Sequence, residues 1–142
     1  MGVYEHIVVG VDGSEASAQA VVVAGRLAAD LDAKVTAVYV RELPVVVATP
    51  YAAGIDLDRY WRGLELSVSR RTAEVLDGLG VACRLEVLVG DPAVELERAA
   101  GEHGADLIVV GTRGHSLAHR LLLGSVSTRL VHHARRPVLV VR

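Results

Sequence analysis

The sequence predicts an α/β fold: a doubly wound, Rossmann-like parallel sheet of five strands with helices on both faces. Short apolar segments alternate along the chain with longer segments whose apolar residues recur at helical spacing, the pattern of a doubly wound protein. Hydrophobic residues make up 51% of the 142 residues, yet there is no Phe and a single Trp. Such an aliphatic composition favours helices packed on a sheet over an aromatic-rich β fold. A chain of this length suits one domain, 1–142.

Each element has its own sequence signals. The expected strands are His6–Val11, Lys34–Val40, Val81–Val89, Asp106–Val110 and Arg136–Val141. The expected helices are one capped by Ser14 and running to about Leu31, a long one from Leu57 closed by Gly80, one begun by Asp91-Pro92, and Val126–Ala134. The first strand is apolar on both faces, as expected in the middle of a parallel sheet. The third alternates with Arg84 and Glu86, so we expect it at an edge.

The stretch 41–56 is the least regular part of the chain. Pro44 and Pro50 disfavour helix at the residues before them. Residues 45–47 and 51–53 are nevertheless too apolar for a solvated loop. A lid over a ligand, a contact with a partner and packing on the following helix all remain open.

Charge and composition exclude several classes of protein. The formal net charge of −2 argues against a nucleic-acid-binding surface, which normally carries a basic excess. The single cysteine excludes an internal disulfide and a cysteine zinc cluster, and the apolar set of the third strand predicts Cys83 to be a buried, inert thiol. No apolar run approaches membrane-spanning length and no secretory signal is evident, so we expect a cytoplasmic protein.

Glycines at the spacing G-x2-G-x9-G-Ser connect the fourth strand to the last helix. They are Gly111, Gly114 and Gly124, the last followed by Ser125. Glycine permits close approach of a ligand and positive φ, and amides at a helix start attract anions. The hydroxyls of Ser125 and Ser127 would add donors there. The pattern predicts a phosphate site; alternatively, the glycines only form turns and Ser125 is an N-cap. Neither a Walker A loop nor a dinucleotide fingerprint is present.

Further polar residues lie close to this motif. Asp12 ends the first strand, where open α/β sheets bind ligands, although it is also suited to capping the local turn. Arg113 and His115 are the cations nearest to the motif in sequence. His115 and His119 lie four residues apart, but no carboxylate nearby completes a metal site.

The sequence resembles the universal stress proteins, and among them the ATP-binding subgroup marked by G-x2-G-x9-G-(Ser/Thr). The resemblance runs from His6-Ile7-Val8-Val9-Gly10-Val11-Asp12-Gly13-Ser14 to Pro137-Val138-Leu139-Val140-Val141, and the glycine motif shows no departure. It implies the strand order 3-2-1-4-5, in which the first and fourth strands are central, as their apolarity also requires. In that order Asp12 and Gly111 face each other across the topological switch point.

The resemblance also implies an ATP site. Asp12 would contact the nucleoside, the main chain at Val40 would hold adenine, and the glycine motif would hold the phosphates. Mg²⁺ is expected to accompany the triphosphate. The implied contact residues are Val11, Asp12, Gly13, Val40, Val110, Gly111, Arg113, Gly114, Gly124, Ser125, Val126 and Ser127.

A hydrolase would need a base positioned to activate water, or an activated nucleophile. The motif region has no carboxylate, and Ser125 has no evident base. We therefore expect a non-catalytic ATP-binding module of stress response or regulation rather than an enzyme. Two alternatives remain: a slow ATPase or nucleotide-dependent transferase using His115 or Asp12, and a dimeric scaffold that binds no nucleotide.

The last strand, 136–141, falls at a sheet edge in this order, although residues 137–141 are all apolar. Edge strands are normally blunted with charge or kept short. We therefore expect a homodimer in which this strand pairs antiparallel with its copy, an arrangement that the resemblance also implies. Alternatively, a helix or the 41–56 stretch covers the edge within one subunit.

Overall fold

The structure is a computed structural model, which describes residues 2–42, 56–112 and 124–142. Its elements are β1 (His6–Val11), α1 (Glu15–Leu31), β2 (Lys34–Arg41), α2 (Leu57–Gly78), β3 (Cys83–Val89), α3 (Pro92–Glu102), β4 (Leu107–Gly111), α4 (Ser125–His133) and β5 (Val138–Val141). They occur in the predicted order, and their ends differ from the predicted ones by one or two residues, as is usual for element boundaries.

The strands form one parallel sheet in the order β3-β2-β1-β4-β5, which confirms the predicted fold class and strand order. β1 lies between β2 and β4, with Val9 opposite Ala37 on one side and Val109 on the other. Val9 and Val109 are completely buried. The continuous apolar character of these strands therefore reflects layers packed on both of their faces.

Alternate residues of the strands contribute to two separate cores. Ile7 and Val9 belong to the core that includes residues of α1 and α2. Val8 belongs to the core on the other face, which includes residues of α3 and α4. A fully buried aliphatic side chain contributes about 1.5–3 kcal/mol to folding, so burial in both cores stabilises the central strands.

β5 occupies the edge position that the sequence predicts, and its four residues are each half-buried. Arg136, just before the strand, donates from Nε to the carbonyl of Ala105 at 2.8 Å. Its Nη1 also pairs with Glu97 Oε1 at 2.7 Å. These contacts attach the start of β5 to α3 and to the segment that enters β4.

The prediction of a buried cysteine is wrong. Cys83 is the first residue of β3, pairs only with Val35 of β2 and is exposed. Alternation along an edge strand indicates which residues share a face but not how far a helix covers that face. Partial desolvation still raises the pKa of the Cys83 thiol.

The expectations for the 41–56 stretch fall almost entirely on residues outside the described ranges. Among the helices that the structure describes, none is long and apolar enough to cross a membrane.

Candidate functional site

The carboxyl ends of β1, β2 and β4 border an open cleft of about 630 Å³. α2 and α3 contribute further walls, and the N-terminus of α4 closes one end. This position is the topological switch point, because the chain leaves β1 and β4 toward opposite faces of the sheet.

Most of the predicted contact residues meet in this cleft. Those that line it are Val11, Asp12, Val40, Val110, Gly111, Gly124, Ser125, Val126 and Ser127. Gly13 is described but lies outside the cleft, in the turn after β1, where its φ of +83° requires a glycine. Arg113 and Gly114 lie outside the described residues, so their contacts remain predictions.

The turn between β1 and α1 is held together by its own polar groups. Asp12 Oδ1 accepts from the Ser14 amide at 2.8 Å, and Ser14 Oγ accepts from the Ser17 amide at 3.2 Å as the N-cap of α1. Ser17 Oγ accepts from the Asp12 amide at 3.2 Å. Asp12 therefore has the turn-stabilising role that the sequence left open, and it also borders the cleft.

Packing in the fold requires a glycine at position 111, which the spacing of the motif does not indicate. A Cβ at this position would lie 2.6 Å from the Ala16 carbonyl carbon and 2.7 Å from its oxygen. The end of β4 thus packs directly against the backbone of the first turn of α1. Neither Gly111 nor Gly124 has a positive φ, so the backbone conformation does not require glycine at either position.

The N-terminus of α4 lies at the cleft and has no side-chain cap. Its N-cap is Gly124, which has no side chain to accept from the first-turn amides, and the first three amides of a helix have no intrahelical acceptor. The other helices differ, because Ser14 caps α1, Asp56 caps α2 and Asp91 caps α3 through side-chain oxygens. The amides of Ser125 and Val126 are therefore suited to an anion.

Thr112, which the sequence analysis did not single out, fixes the position of this helix start. Its carbonyl accepts from the Gly124 amide and, at 3.2 Å, from Ser127 Oγ, which also donates to the Gly124 carbonyl at 3.1 Å. Its own amide donates to the Val141 carbonyl at 2.8 Å. The hydroxyl of Ser127 is thus engaged with main-chain acceptors, and Ser125 has the exposed hydroxyl.

The opposite end of the cleft contains aromatic residues that the sequence analysis did not single out. Tyr39 is 3% exposed, and burial together with the nearby carboxylates of Glu65 and Asp12 raises the pKa of its hydroxyl, which therefore stays neutral. Trp61 and Leu64 of α2 line the same end. Spacing shows that these residues point inward, but it does not distinguish a core from a cleft.

No group of three or more His, Cys, Asp or Glu side chains able to hold a metal ion occurs within residues 2–42, 56–112 and 124–142. The chemistry that these described residues offer at the cleft is hydrogen bonding and burial: the amides of the α4 start, the carboxylates of Asp12 and Glu42, and aromatic rings at the other end.

Comparison with known proteins agrees with this architecture. Residues 3–142 match the model of the universal stress protein family. The chain is 35% identical to universal stress protein MJ0531 of Methanocaldococcus jannaschii over 140 residues, which cover 98% of this chain and 82% of that protein. The structure superposes on the universal stress protein UspA of Lactobacillus plantarum with a TM-score of 0.83 at 28% identity, covering 98% of both chains.

A universal stress protein crystallised in complex with cAMP is also similar, with a TM-score of 0.72 at 29% identity over 98% of this chain and 97% of that one. The match of the family model to nearly the whole chain, together with these relatives, shows that this protein belongs to the universal stress protein family.

Proposed function

We propose that this protein binds ATP in the cleft and acts as a non-catalytic nucleotide-binding module of a stress or regulatory response. The observation that carries the proposal is the uncapped start of α4. The amides of Ser125 and Val126 lie at the cleft, and no side chain in the described ranges caps this helix start, so it is suited to an anionic group. In the proposed site this anion is a phosphate of ATP.

The rest of the cleft fits a nucleoside. Its volume of about 630 Å³ falls within the range of small-molecule sites, roughly 300–1,000 Å³. Asp12 is placed between the two ends, where its carboxylate is suited to accept from a ribose hydroxyl. The main chain at Val40 is the proposed contact for adenine, which would lie against the aromatic end of the cleft.

The cAMP complex of a relative supports a nucleotide as the ligand class, and the glycine motif favours ATP within that class. In the proposed complex Arg113 and Gly114 complete the phosphate site. Mg²⁺ is expected to arrive with the triphosphate and to be held largely by phosphate oxygens and water, as is usual for Mg²⁺ bound to nucleotides.

We propose binding without turnover because catalysis needs a base in reach of the attacking water. Asp12 and Glu42 are the carboxylates that line the cleft among the described residues, and Asp12 Oδ1 already accepts from the Ser14 amide. The alternative is a slow ATPase or transferase that uses Asp12 or His115.

Isothermal titration with ATP, cAMP and GTP tests the ligand, and mass spectrometry of molecules released on denaturation tests what the purified protein retains. We expect ATP to bind tighter than cAMP. Failure of every nucleotide to bind would contradict the proposal and favour the empty scaffold. Phosphate release over many turnovers, lost in Asp12→Asn or His115→Gln, would instead favour the ATPase.

We further propose a homodimer through 136–141, since β5 is a short apolar strand at the sheet edge. Light scattering at micromolar concentration is expected to give twice the monomer mass, and Val140→Lys is expected to reduce it. A monomeric wild-type protein would contradict this pairing.

A further inference from the structure

Tyr39 lies two residues before the end of β2 and lines the cleft, as Asp12 does. In the sheet it stands opposite Val11 of β1 on one side and Val87 of β3 on the other, so strand pairing fixes its backbone. Its side chain belongs to the core that includes residues of α1 and α2, and the residue is only 3% exposed. The position of this side chain is therefore set by the fold and does not depend on a ligand.

The hydroxyl of Tyr39 meets solvent although the rest of the residue is buried. It forms no hydrogen bond with another residue in the described ranges. Within those ranges, the polar side-chain atoms of non-exposed residues that lack both a partner and contact with solvent are Trp61 Nε1 and Glu97 Oε2. The Tyr39 oxygen is not one of them, and Tyr39 lines the cleft, so the cleft is where this oxygen meets solvent.

The charges around this hydroxyl keep it a neutral phenol. Burial has the largest effect on the pKa of Tyr39 and raises it, the carboxylates of Glu65 and Asp12 raise it further, and the guanidinium of Arg41 opposes the shift. A neutral phenol has one proton to donate and can also accept. Because negative charges lie on two sides of it, the hydroxyl is better suited to donate a hydrogen bond than to accept one.

We infer that the Tyr39 hydroxyl donates a hydrogen bond to a ribose hydroxyl of the bound nucleotide, which makes the cleft selective for ribonucleotides. The inference rests on the proposed function and adds a residue that recognises the sugar. A nucleoside that fills the cleft displaces the water at this hydroxyl, so the ligand must replace the hydrogen bond that is lost.

The sugar is the part of the nucleotide that this hydroxyl is placed to contact. Tyr39 packs on the α1 and α2 side of the sheet, whereas Val40, the proposed contact for adenine, packs on the α3 and α4 side. Tyr39 is instead paired with Val11, the residue before Asp12, which is the proposed ribose contact. A ribose has two adjacent hydroxyls that can each donate and accept, so the carboxylate can accept from one while the phenol donates to the other.

Tyr39→Phe is the informative variant, because it keeps the buried ring and removes only the oxygen. The hydroxyl has no partner among the described residues, so its loss leaves no group in that part of the protein unpaired, and the urea midpoint is expected to stay as in wild type. Tyr4→Phe is the matched control. Tyr4 packs against the same core, but it lies just before β1, at the end of the sheet opposite to the cleft.

The test measures binding of ATP, 2′-deoxy-ATP and 3′-deoxy-ATP to wild type, Tyr39→Phe and Tyr4→Phe by calorimetric titration. We expect Tyr39→Phe to bind ATP about three- to tenfold more weakly, the usual effect of one hydrogen bond, and Tyr4→Phe to bind all three nucleotides as wild type does. For the analogue that lacks the accepting hydroxyl, wild type and Tyr39→Phe are expected to bind equally. For the other analogue, the difference between these two proteins is expected to remain.

Equal affinity of wild type and Tyr39→Phe for ATP would overturn the inference while leaving the proposed function intact. Equal losses in Tyr39→Phe with ATP and both deoxy analogues would overturn the hydrogen bond to the sugar. Absence of any ATP binding by wild type would overturn the proposed function, and this inference with it. The wild-type series does not depend on the folding of a variant: equal binding of ATP and both deoxy analogues would by itself contradict a bond to a ribose hydroxyl.

Discussion

The β1–α1 and β4–α4 connections face each other across the cleft, and they differ in how their backbone amides are hydrogen-bonded. In the turn between β1 and α1, the side chains of Asp12, Ser14 and Ser17 accept from one another's amides. Between β4 and α4, the Gly124 amide and Ser127 Oγ donate to the Thr112 carbonyl, Ser127 Oγ also donates to the Gly124 carbonyl, and no side chain in the described part of the chain caps the helix. Both connections follow buried central strands at the same edge of the sheet.

This difference distinguishes residues that stabilise the fold from residues that are available to a ligand. A turn that satisfies its own amides is rigid and presents a defined surface, whereas a helix start without a cap retains donors for a ligand. Gly111 belongs to the scaffold by this criterion, because its missing side chain makes room for Ala16. Gly124 belongs to the proposed site, because as the N-cap it has no side chain to accept from the first-turn amides of α4.

The largest expected effect follows from placing Gly111 in the scaffold. In Gly111→Ala the new Cβ would meet the Ala16 carbonyl carbon at 2.6 Å, and a backbone atom within α1 has little freedom to move away. We expect the free energy of unfolding to fall by about 3 kcal/mol in urea denaturation, the upper part of the usual range for overpacking. ATP affinity is expected to fall as well, because the end of β4 must shift.

Gly63→Ala is the matched control for this change. Gly63 lies in α2, and no described atom comes within 4 Å of the position that an alanine methyl would occupy there. Alanine is therefore expected to stabilise the helix by about 0.5–1 kcal/mol. Equal unfolding free energies for Gly111→Ala and wild type would mean that the glycine is not required by packing.

The sequence was sufficient for the fold but only partly sufficient for the site. Apolar runs, caps and prolines mark element ends because they act locally, and two-sided apolarity places β1 and β4 at the centre. The contact of Gly111 with Ala16 joins distant parts of the chain and leaves no local pattern. The exposed position of Cys83 depends on how far α2 covers the sheet, which alternation does not encode.

Trp61 shows the same limit for the ligand site. Helical spacing places Trp61 on the same side of α2 as Leu64, and at that level both residues line a cleft. The glycine motif predicts the proposed phosphate end because a site built from backbone amides imposes a spacing on the sequence. The proposed nucleoside end is built from single side chains on separate elements, which need no common spacing.

The second prediction concerns substitutions that give α4 a side-chain cap. In Gly124→Asp the new carboxylate would accept from the first-turn amides of α4 and repel a phosphate, so ATP affinity is expected to fall by about 2 kcal/mol, or thirtyfold. Gly124→Asn caps the helix equally well without a charge and is expected to lose less. Calorimetric titration compares the two variants, whose unfolding free energies are expected to stay within a few tenths of a kcal/mol of wild type. Unchanged ATP affinity in both variants would show that the phosphates of ATP do not bind at this end of the cleft.

The third prediction separates the two roles of Asp12. Asp12→Asn keeps an oxygen that can accept from the Ser14 amide but removes the charge, so we expect ATP to bind about tenfold more weakly with little change in stability. Ser14→Ala is the complementary control, because it removes the cap of α1 and is expected to cost about 1 kcal/mol of stability while leaving ATP affinity unchanged. If the two variants lost ATP affinity equally, the carboxylate would act only through the turn.

The smallest expected effect concerns α3, whose start is closed by a charged cap. Asp91 caps the Val94 amide, and the hydrogen bond from Arg129 lowers the pKa of its carboxyl below the ordinary value of 3.8. A carboxyl with a lowered folded-state pKa contributes stability above its unfolded pKa, and this contribution is lost as the pH falls through the folded-state pKa. Because the ion pair is exposed, we expect it to contribute less than about 1 kcal/mol to the free energy of unfolding.

Asp91→Asn tests this contribution, because asparagine retains a capping oxygen but removes the charge. The unfolding free energies of this variant and wild type, measured from pH 7 downward, are expected to converge below pH 3.8. A constant difference between them at every pH would show that the charge of Asp91 does not stabilise this closed helix start.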